Sequence, residues 1–160
     1  MSIQKAYNEW SEIYDTNENL TRDLDQKVTC ETFAGQKFNS ILETGCGTGK
    51  NTVFFAQIGE NVHALDFSHG MIEKAREKIQ AGNVRFSVAD LTKQWPCENK
   101  AYDLISCNLV LEHIRELGHI FSEAARTLRP KGIFFINDAP FVVPHGKPLG
   151  ANLLTGTRES

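Results

Sequence analysis

Ile41-Leu42-Glu43-Thr44-Gly45-Cys46-Gly47-Thr48-Gly49 is the stretch of sequence that decides the fold. An apolar run typical of a buried strand ends there in three glycines at every second position, and a helical pattern follows. Glycine is needed where the backbone takes a positive φ or must come within contact distance of a ligand. The stretch therefore predicts a strand, a tight loop and a helix, with a bound molecule seated on the backbone of the loop.

The spacing of the glycines restricts the kind of molecule that can bind there. The pattern is G-x-G-x-G, which differs from the G-x-G-x-x-G of dinucleotide-binding loops. In addition, the acidic Glu43 precedes Gly45 by two positions, and a carboxylate beside a pyrophosphate would repel it. Both details disfavour a nicotinamide dinucleotide and favour a cofactor that has no pyrophosphate.

Length and composition predict one globular domain. The chain has 160 residues, of which 41% are hydrophobic and 23% are charged. It contains no run of the roughly 20 apolar residues that a membrane span requires. The formal net charge is -3, whereas proteins that bind nucleic acid usually carry an excess of positive charge. We therefore expect neither a membrane span nor a nucleic acid partner.

The cysteines favour a reducing compartment. Cys30, Cys46, Cys97 and Cys107 are scattered along the chain without a C-x-x-C pair, which is typical of reduced thiols and gives no indication of zinc or another metal. The first residues contain no apolar signal region. We expect a cytoplasmic protein without a bound metal.

Strands and helices alternate along the chain. Apolar β-rich runs predict five strands, at Ser40–Thr44, Asn61–Asp66, Val84–Ala89, Tyr102–Cys107 and Ile133–Asn137. Helical spacing predicts helices at about 3–16, 20–36, 50–58, 70–81, 110–114 and 117–128. Strict alternation requires parallel strands joined by right-handed crossovers. The prediction is an α/β fold, a doubly wound Rossmann-like parallel sheet of about five strands in the order 3-2-1-4-5, preceded by two N-terminal helices.

Polar residues follow the strands at the edge of the sheet where a ligand would bind. Asp66 ends the second strand about twenty residues beyond the first glycine, where a carboxylate can accept both hydroxyls of a ribose. After the third strand, Asp90 suits an adenine amino group and Leu91 suits a ring face. Asn108 and Leu109 follow the fourth strand. Asp66 or Asp90 taken alone could instead be a helix N-cap. Because the whole set follows the strands at the same end of the sheet, it predicts one site.

Five motifs together resemble one family. The motifs are residues 41–49, Ala64-Leu65-Asp66-Phe67-Ser68-His69-Gly70-Met71-Ile72, Val88-Ala89-Asp90-Leu91, Tyr102-Asp103-Leu104-Ile105 and Leu128-Arg129-Pro130-Lys131-Gly132. Over about residues 7–138 the chain resembles class I S-adenosylmethionine-dependent methyltransferases, and is similar to the ubiquinone and menaquinone biosynthesis subgroup.

The resemblance implies a transferase that uses S-adenosyl-L-methionine, releases S-adenosyl-L-homocysteine and methylates a small-molecule acceptor. Glu43 would orient the loop, and Gly45 and Gly47 would pack against the methionine part of the cofactor. Phe67 and Met71 would enclose the adenine, although side chains at this spacing are also typical of a core. The cofactor-binding residues that we predict are Tyr14, Glu43, Gly45, Cys46, Gly47, Gly49, Asp66, Phe67, Met71, Asp90, Leu91, Asn108 and Leu109.

Two places could supply groups to the reacting side of the cofactor. The first helix resembles an aromatic lid with Tyr7 and Tyr14 as contacts, but it is equally typical of an amphipathic packing helix. His113, just after the fourth strand, could act as a catalytic base, a role that histidine takes more often than other side chains. A single histidine at a helix end is more often structural, so both interpretations stay open.

The last part of the chain departs from the family pattern. Residues 139–160 contain three prolines and three glycines, which predicts an irregular tail after a domain of residues 1–138. The last two strands of the family would then be lacking. The fifth strand would be an exposed apolar edge, which a homodimer could cover, and a truncated chain would also explain the pattern.

Three functions remain to be compared. Methyl transfer to a small molecule is the leading hypothesis. The alternative is a module that binds the cofactor but is catalytically silent or truncated. An NAD-dependent oxidoreductase is disfavoured by the glycine spacing and by Glu43.

Overall fold

The computed structural model describes residues 3–10 and 19–138. The helices are α1 (Ile3–Trp10), α2 (Leu20–Thr32), α3 (Thr52–Ile58), α4 (His69–Lys78) and α5 (Leu117–Thr127), and a short 3-10 helix spans Leu111–His113. The strands are β1 (Phe38–Thr44), β2 (Gly59–Asp66), β3 (Val84–Val88), β4 (Tyr102–Asn108) and β5 (Leu128–Asn137). The predicted tail lies outside the described residues. Among the helices described, none is long and apolar enough to cross a membrane.

The five strands form one sheet in the order β3-β2-β1-β4-β5, and each neighbouring pair is parallel. The predicted fold class and strand order are therefore confirmed. From β1 the chain winds outward to β3 and then returns to the other side of β1 to form β4. This reversal of direction opens a crevice beside the carboxyl ends of β1 and β4.

The central strands are buried on both faces because helices cover each side of the sheet. Ile41 and Leu42 are both fully buried, although neighbouring residues of a strand point to opposite faces. Leu42 belongs to a cluster with Ile120 and Ala124 of α5, whereas Ile41 belongs to a cluster with Phe55 of α3. Burial on both faces explains why β1 is a continuous apolar run.

Helix α4 starts as predicted and ends early. Ser68 is its N-cap, and the Ser68 hydroxyl accepts a hydrogen bond from the backbone N–H of Met71. The helix ends at Lys78 rather than at residue 81. Ile79 has extended backbone and joins a buried cluster with Ile72. Burial of Ile79 thus overrides the helical pattern of the sequence.

The turn predicted at residues 129–132 lies inside β5. Tyr102 of β4 pairs with Leu128, and Leu104 pairs with Ile133. A single residue of β4 therefore faces four residues of β5, which form a bulge. Lys131 has a φ of 65°, as a tight turn requires. The turn was predicted correctly, whereas β5 begins at Leu128 and not at Ile133 as predicted.

The inward face of α2 differs from the prediction. The spacing of Leu24, Val28, Phe33 and Ala34 in the sequence predicts an amphipathic helix with these residues on its apolar face. Phe33 is buried, but Leu24 is 61% exposed, and the most buried residues of the helix itself are Asp25 and Thr29. The face that α2 presents to the sheet is polar because it meets polar side chains at the carboxyl ends of β4 and β5.

Candidate functional site

The loop after β1 has the conformation that its glycines predict. Gly45, Gly47 and Gly49 all have positive φ values, of 75°, 54° and 90°. A Cβ on Gly45 would lie only 2.2 Å from Cγ2 of Val110, so no larger residue fits there without displacing Val110. The backbone N–H groups of Gly45 and Cys46 donate to the carbonyl of Leu65 at 2.8 and 2.9 Å. These bonds join the loop to the end of β2.

Asp66, the last residue of β2, holds two loops at once. One carboxylate oxygen accepts the backbone N–H of Gly47 at 2.9 Å, and the other accepts the backbone N–H of Ser68 at 3.0 Å. Burial raises the pKa of Asp66, while these hydrogen bonds lower it. Asp66 therefore organises the glycine loop and presents a carboxylate to the space beside it.

A cavity of about 380 Å³ opens at the carboxyl ends of the strands. Parallel strands bring together the residues that follow β1, β2, β3 and β4. The predicted site residues that line the cavity are Glu43, Gly45, Cys46, Gly47, Asp66, Phe67, Met71, Asp90, Leu91, Asn108, Leu109 and His113. Its wall combines exposed loop backbone, acidic side chains and apolar side chains.

Among the predicted residues that the structure describes, Gly49 does not line this cavity. Gly49 packs against α4 instead, because a Cβ on Gly49 would lie 2.5 Å from Cδ1 of Ile79. Its glycine requirement comes from this packing and from its positive φ. Tyr14 lies outside the described residues, so its contact with a cofactor stays a prediction.

Helix α1 lies at one side of the cavity. Gln4 lines the cavity, and its side-chain amide donates to the carbonyl of Phe67 at 2.7 Å. Asn8 accepts a hydrogen bond from the backbone N–H of Gly70 at 3.3 Å. Both contacts tie α1 to the segment after β2, which is compatible with a lid and with a packing helix. The aromatic contacts of that lid stay a prediction.

Sequence reasoning missed Asp25, which connects α2 to three other segments. One oxygen of Asp25 accepts the side-chain amides of Asn108 and Asn137, each at 2.7 Å. The other oxygen accepts the side-chain amide of Asn51 at 2.8 Å. Burial raises the pKa of Asp25, and the three amides act in the opposite direction. The only signal in the sequence was a pair of polar residues, Asp25 and Thr29, four positions apart, which is also typical of a solvated helix face.

Glu43 is the most buried acidic group of the cavity. Its carboxylate accepts a hydrogen bond from the hydroxyl of Thr52. Burial raises the pKa of Glu43 to about 8, the Thr52 hydroxyl lowers it, and the nearby carboxylates of Asp25 and Asp66 raise it. The inner end of the cavity therefore concentrates acidic groups, which favours a ligand with positive charge.

The outer part of the cavity carries Asp90 and His113. Asp90 accepts the backbone N–H of Thr92 at 2.9 Å and its hydroxyl at 2.6 Å, and these bonds hold the pKa of Asp90 below its usual value. Nε2 of His113 lies 3.3 Å from a carboxylate oxygen of Glu112, and the His113 side chain is 41% exposed. His113 is thus accessible to a second molecule at the rim. In the part of the chain that the structure describes, no three His, Cys, Asp or Glu side chains are arranged to hold a metal ion.

Comparison with known families gives a match over most of the sheet. A family model described as "Methyltransferase domain" matches residues 42–136. The chain is 29% identical to malonyl-[acyl-carrier protein] O-methyltransferase of Yersinia pestis over 138 residues, which cover 85% of this chain and 49% of that protein. It is 30% identical to demethylmenaquinone methyltransferase of Leptospira interrogans, with 59% of this chain and 40% of that protein covered. The chain spans about half the length, or less, of these curated relatives.

Solved structures show the same fold. Phosphoethanolamine N-methyltransferase 1 of Haemonchus contortus, crystallised with phosphoethanolamine and S-adenosylhomocysteine, superposes with a TM-score of 0.72 at 18% identity, covering 98% of this chain and 36% of that one. A SAM-dependent methyltransferase from Aquifex aeolicus gives a TM-score of 0.70 at 20% identity, covering 86% of this chain and 77% of that one. At these identities the likeness concerns the fold alone.

Proposed function

The chain belongs to the methyltransferase domain family, and we propose that it binds S-adenosylmethionine in the cavity beside the glycine loop and transfers its methyl group to a small-molecule acceptor. One observation carries this proposal. The cavity combines the backbone of a glycine loop with four acidic side chains, those of Asp25, Glu43, Asp66 and Asp90. That combination suits an adenosine with positive charge and no phosphate.

The residues present fit this cofactor part by part. The carboxylate of Asp66 can accept ribose hydroxyls while it keeps its two backbone donors. Met71 and Leu91 are buried apolar side chains that, with Phe67, line the cavity and suit an adenine ring. The acidic inner end suits the positive charge of a sulfonium and an ammonium group. A dinucleotide fits poorly, because its pyrophosphate would face these carboxylates.

The chemistry needs little from the protein beyond alignment. When bound, S-adenosylmethionine supplies a methyl group that is already activated by the positive sulfur. The loop and Asp66 would fix its orientation, and α1 would restrict access of water. His113 would accept a proton from the acceptor at Nε2 or Nδ1, which needs its neutral form.

Isothermal titration calorimetry tests the cofactor assignment. The purified protein should bind S-adenosylmethionine and S-adenosylhomocysteine with Kd values well below about 1 mM, and NAD should give no binding heat. A folded protein that bound neither sulfur compound more tightly than about 1 mM would contradict the assignment.

Methyl transfer needs a separate test. Incubation with methyl-labelled S-adenosylmethionine and a metabolite extract should label a small molecule, because the relatives include a demethylmenaquinone methyltransferase. Label in added RNA or DNA would contradict the choice of acceptor class. Once an acceptor is known, His113→Ala should lower kcat by about 100-fold and leave the Kd for S-adenosylhomocysteine unchanged. An unchanged kcat would remove His113 from the reaction.

We also infer a homodimer and a cytoplasmic location. In the described part of the sheet β5 pairs with β4 alone, and Ile133 of this edge is 41% exposed, which supports pairing with a second copy. Sedimentation at the mass of one chain would contradict the dimer. The four cysteines are free thiols, which supports a reducing compartment, and cell fractionation tests that location.

A further inference from the structure

We propose that a second cavity, at the amino ends of the strands, binds a small carboxylate through the guanidinium group of Arg85. This cavity lies at the opposite end of the sheet from the glycine loop, and none of its described lining residues also lines the first cavity. The inference is therefore independent of the proposed function. Three features carry it, namely an open space on the sheet, an arginine that pairs with no carboxylate of the described residues, and a surplus of hydrogen-bond donors.

The space exists because the described helices α3 and α4 both cover the other face of the sheet. They pack on the face that carries Val62 and Ala64, whereas His63 between them points to the opposite face. On that face, residues 89–101 connect β3 to β4 without forming a helix. A cavity of about 540 Å³, the amino-end cavity, is left there, which is large enough for a small metabolite. The polar side chains among its lining residues include Ser40, His63, Asn83, Arg85, Glu98 and Tyr102.

Arg85 of β3 brings a positive charge to the amino-end cavity. His63 and Arg85 are partners in the pairing of β2 with β3, so their side chains lie side by side on one face of the sheet. One NH2 nitrogen of Arg85 lies 3.0 Å from Nδ1 of His63. No aspartate or glutamate in residues 3–10 or 19–138 forms an ion pair with Arg85. A guanidinium group is a planar fork of donors that fits a carboxylate at two points, and this one has not met a carboxylate within the described structure.

The groups around Nδ1 of His63 offer more donors than the ring can accept. The Tyr102 hydroxyl lies 3.0 Å from Nδ1 and the Cys97 thiol lies 3.8 Å from it, in addition to the NH2 group of Arg85. A neutral imidazole has one acceptor nitrogen with one lone pair, so it satisfies only one of these donors fully. The other ring nitrogen, Nε2, already bonds to the hydroxyl of Ser87 at 2.9 Å. A ligand oxygen that accepts from Arg85 would leave Nδ1 to Tyr102.

The charges in the amino-end cavity favour an anion with a single charge. Among its described lining residues, Arg85 carries a positive charge and the exposed Glu98 carries a negative charge. Burial and Arg85 lower the pKa of His63 to about 4, so the imidazole adds no charge at neutral pH. A phosphate group, with a charge of about -1.5 to -2, would be repelled by Glu98 more strongly than a carboxylate. The ligand that fits best is therefore a small carboxylate.

NMR titration with sodium acetate as the probe tests this site, and sodium phosphate tests the class of anion. Both titrations are run at pH 7.5, with sodium chloride keeping the ionic strength constant. Acetate should shift the ring signals of His63 and the side-chain Nε–H signal of Arg85 in a saturable way, with a Kd of about 10 mM or lower. Phosphate should bind more weakly at the same signals. The absence of a saturable shift with acetate, or equal or tighter binding of phosphate, would overturn the inference.

Two arginine variants locate the binding of acetate. Arg85→Gln removes the charge and the fork and should raise the Kd for acetate at least tenfold, as measured at the ring of His63. Arg115→Gln is the matched control, because it removes an exposed arginine that does not line the amino-end cavity, and it should leave this Kd unchanged. The dispersion of the amide signals checks that each variant is folded. An unchanged Kd in Arg85→Gln, or equal increases in both variants, would show that Arg85 does not hold the carboxylate.

Discussion

Buried carboxyl groups in this protein differ in what they do, and the hydrogen-bond donors around each group explain the difference. Asp66 and Glu43 are both buried beside the cavity. Asp66 is balanced by backbone N–H donors, whereas Glu43 has one side-chain donor, the hydroxyl of Thr52. The loop therefore stabilises the carboxylate of Asp66, whereas burial raises the pKa of Glu43 to about 8.

Asp66→Asn should weaken binding of S-adenosylmethionine by about 10- to 100-fold, since hydrogen bonds to charged groups contribute about 1.5–3 kcal/mol. Asparagine offers one acceptor oxygen where the native residue offers two, so the N–H of Gly47 or Ser68 would lose its partner. Calorimetry measures the change. Glu73→Gln, which removes an exposed carboxylate of α4 outside the cavity wall, is the control. Equal Kd values for the two variants would show that Asp66 has no special part in the loop.

Binding of S-adenosylmethionine should strengthen with pH between 5.5 and 7.5. The pKa of Glu43 is raised to about 8 in the empty cavity, so Glu43 is protonated in this range and must lose its proton to pair with a cation. The affinity should rise by up to about tenfold per pH unit. Glu43→Gln should flatten the profile, and an identical slope in the variant would assign the proton to another group.

At the scale of elements, the side chain of Asp103 connects the start of β4 to the two neighbouring strands, β1 and β5. Asp103 at the start of β4 accepts the backbone N–H groups of Asn39 and Ser40 of β1, both at 2.9 Å. Its other oxygen accepts a hydrogen bond from Arg129 in the β5 bulge at 3.1 Å. Asp103 thus links β1, β4 and β5 at the amino ends of the strands, at the opposite end of the sheet from the cavity.

Asp103→Ala should lower the free energy of unfolding by about 1–3 kcal/mol, because backbone donors of β1 lose their acceptor. Urea denaturation measures this loss. Arg129→Ala removes only a partly exposed ion pair and should cost about 0–1 kcal/mol. A larger loss in the arginine variant than in the aspartate variant would show that the ion pair, and not the backbone, is what Asp103 stabilises.

The elements were predictable where one local rule dominated. The three glycines after β1 and the hydroxyl of Ser68 before α4 act on their own neighbours, so their effects can be read from the sequence. Elements whose limits depend on distant contacts were harder. The end of α4 depends on the burial of Ile79, and the polar face of α2 depends on partners far along the chain. In the candidate site, the role of Asp25 could not be foreseen, because its amide partners Asn51, Asn108 and Asn137 come from three separate segments.

At the scale of the whole molecule, the two ends of the sheet carry different chemistry. The carboxyl ends of the strands hold the acidic cavity. Farther toward the amino ends lies His63 of β2, whose Nδ1 accepts from the hydroxyl of Tyr102 and from Arg85, each at 3.0 Å. Arginine can only donate, so the ring proton lies on Nε2, which donates to Ser87 at 2.9 Å. His63 is therefore neutral in the folded protein.

This neutral histidine makes the stability of the protein depend on pH. Burial, aided by Arg85, lowers the pKa of His63 from 6.5 to about 4, so the unfolded chain takes up this proton first as the pH falls. Between pH 7 and pH 5 the free energy of unfolding should lose about 2 kcal/mol through His63. Cys97, which lies 3.8 Å from Nδ1 of His63, has a pKa raised by burial and does not titrate there.

His63→Gln isolates this effect from other titrating groups. Urea denaturation at pH 5, 6 and 7 should show a smaller dependence on pH in the variant than in the native protein, by about 2 kcal/mol over the range. Above pH 7 the two curves should run parallel. Parallel curves over the whole range would mean that the pKa of His63 is the same in the folded and the unfolded chain.

The Asp25 cluster also bears on the order in which the molecule is assembled. Its carboxylate gathers amides that are 26, 83 and 112 positions away along the chain. Contacts of such high sequence separation form late, because the loops that they close cost entropy first. The hydrogen bonds of Asp25 are therefore complete only after Asn137 of β5 has been synthesised and has docked against α2. A fragment with an intact glycine loop but without β5 would lack one of the three amides that hold Asp25.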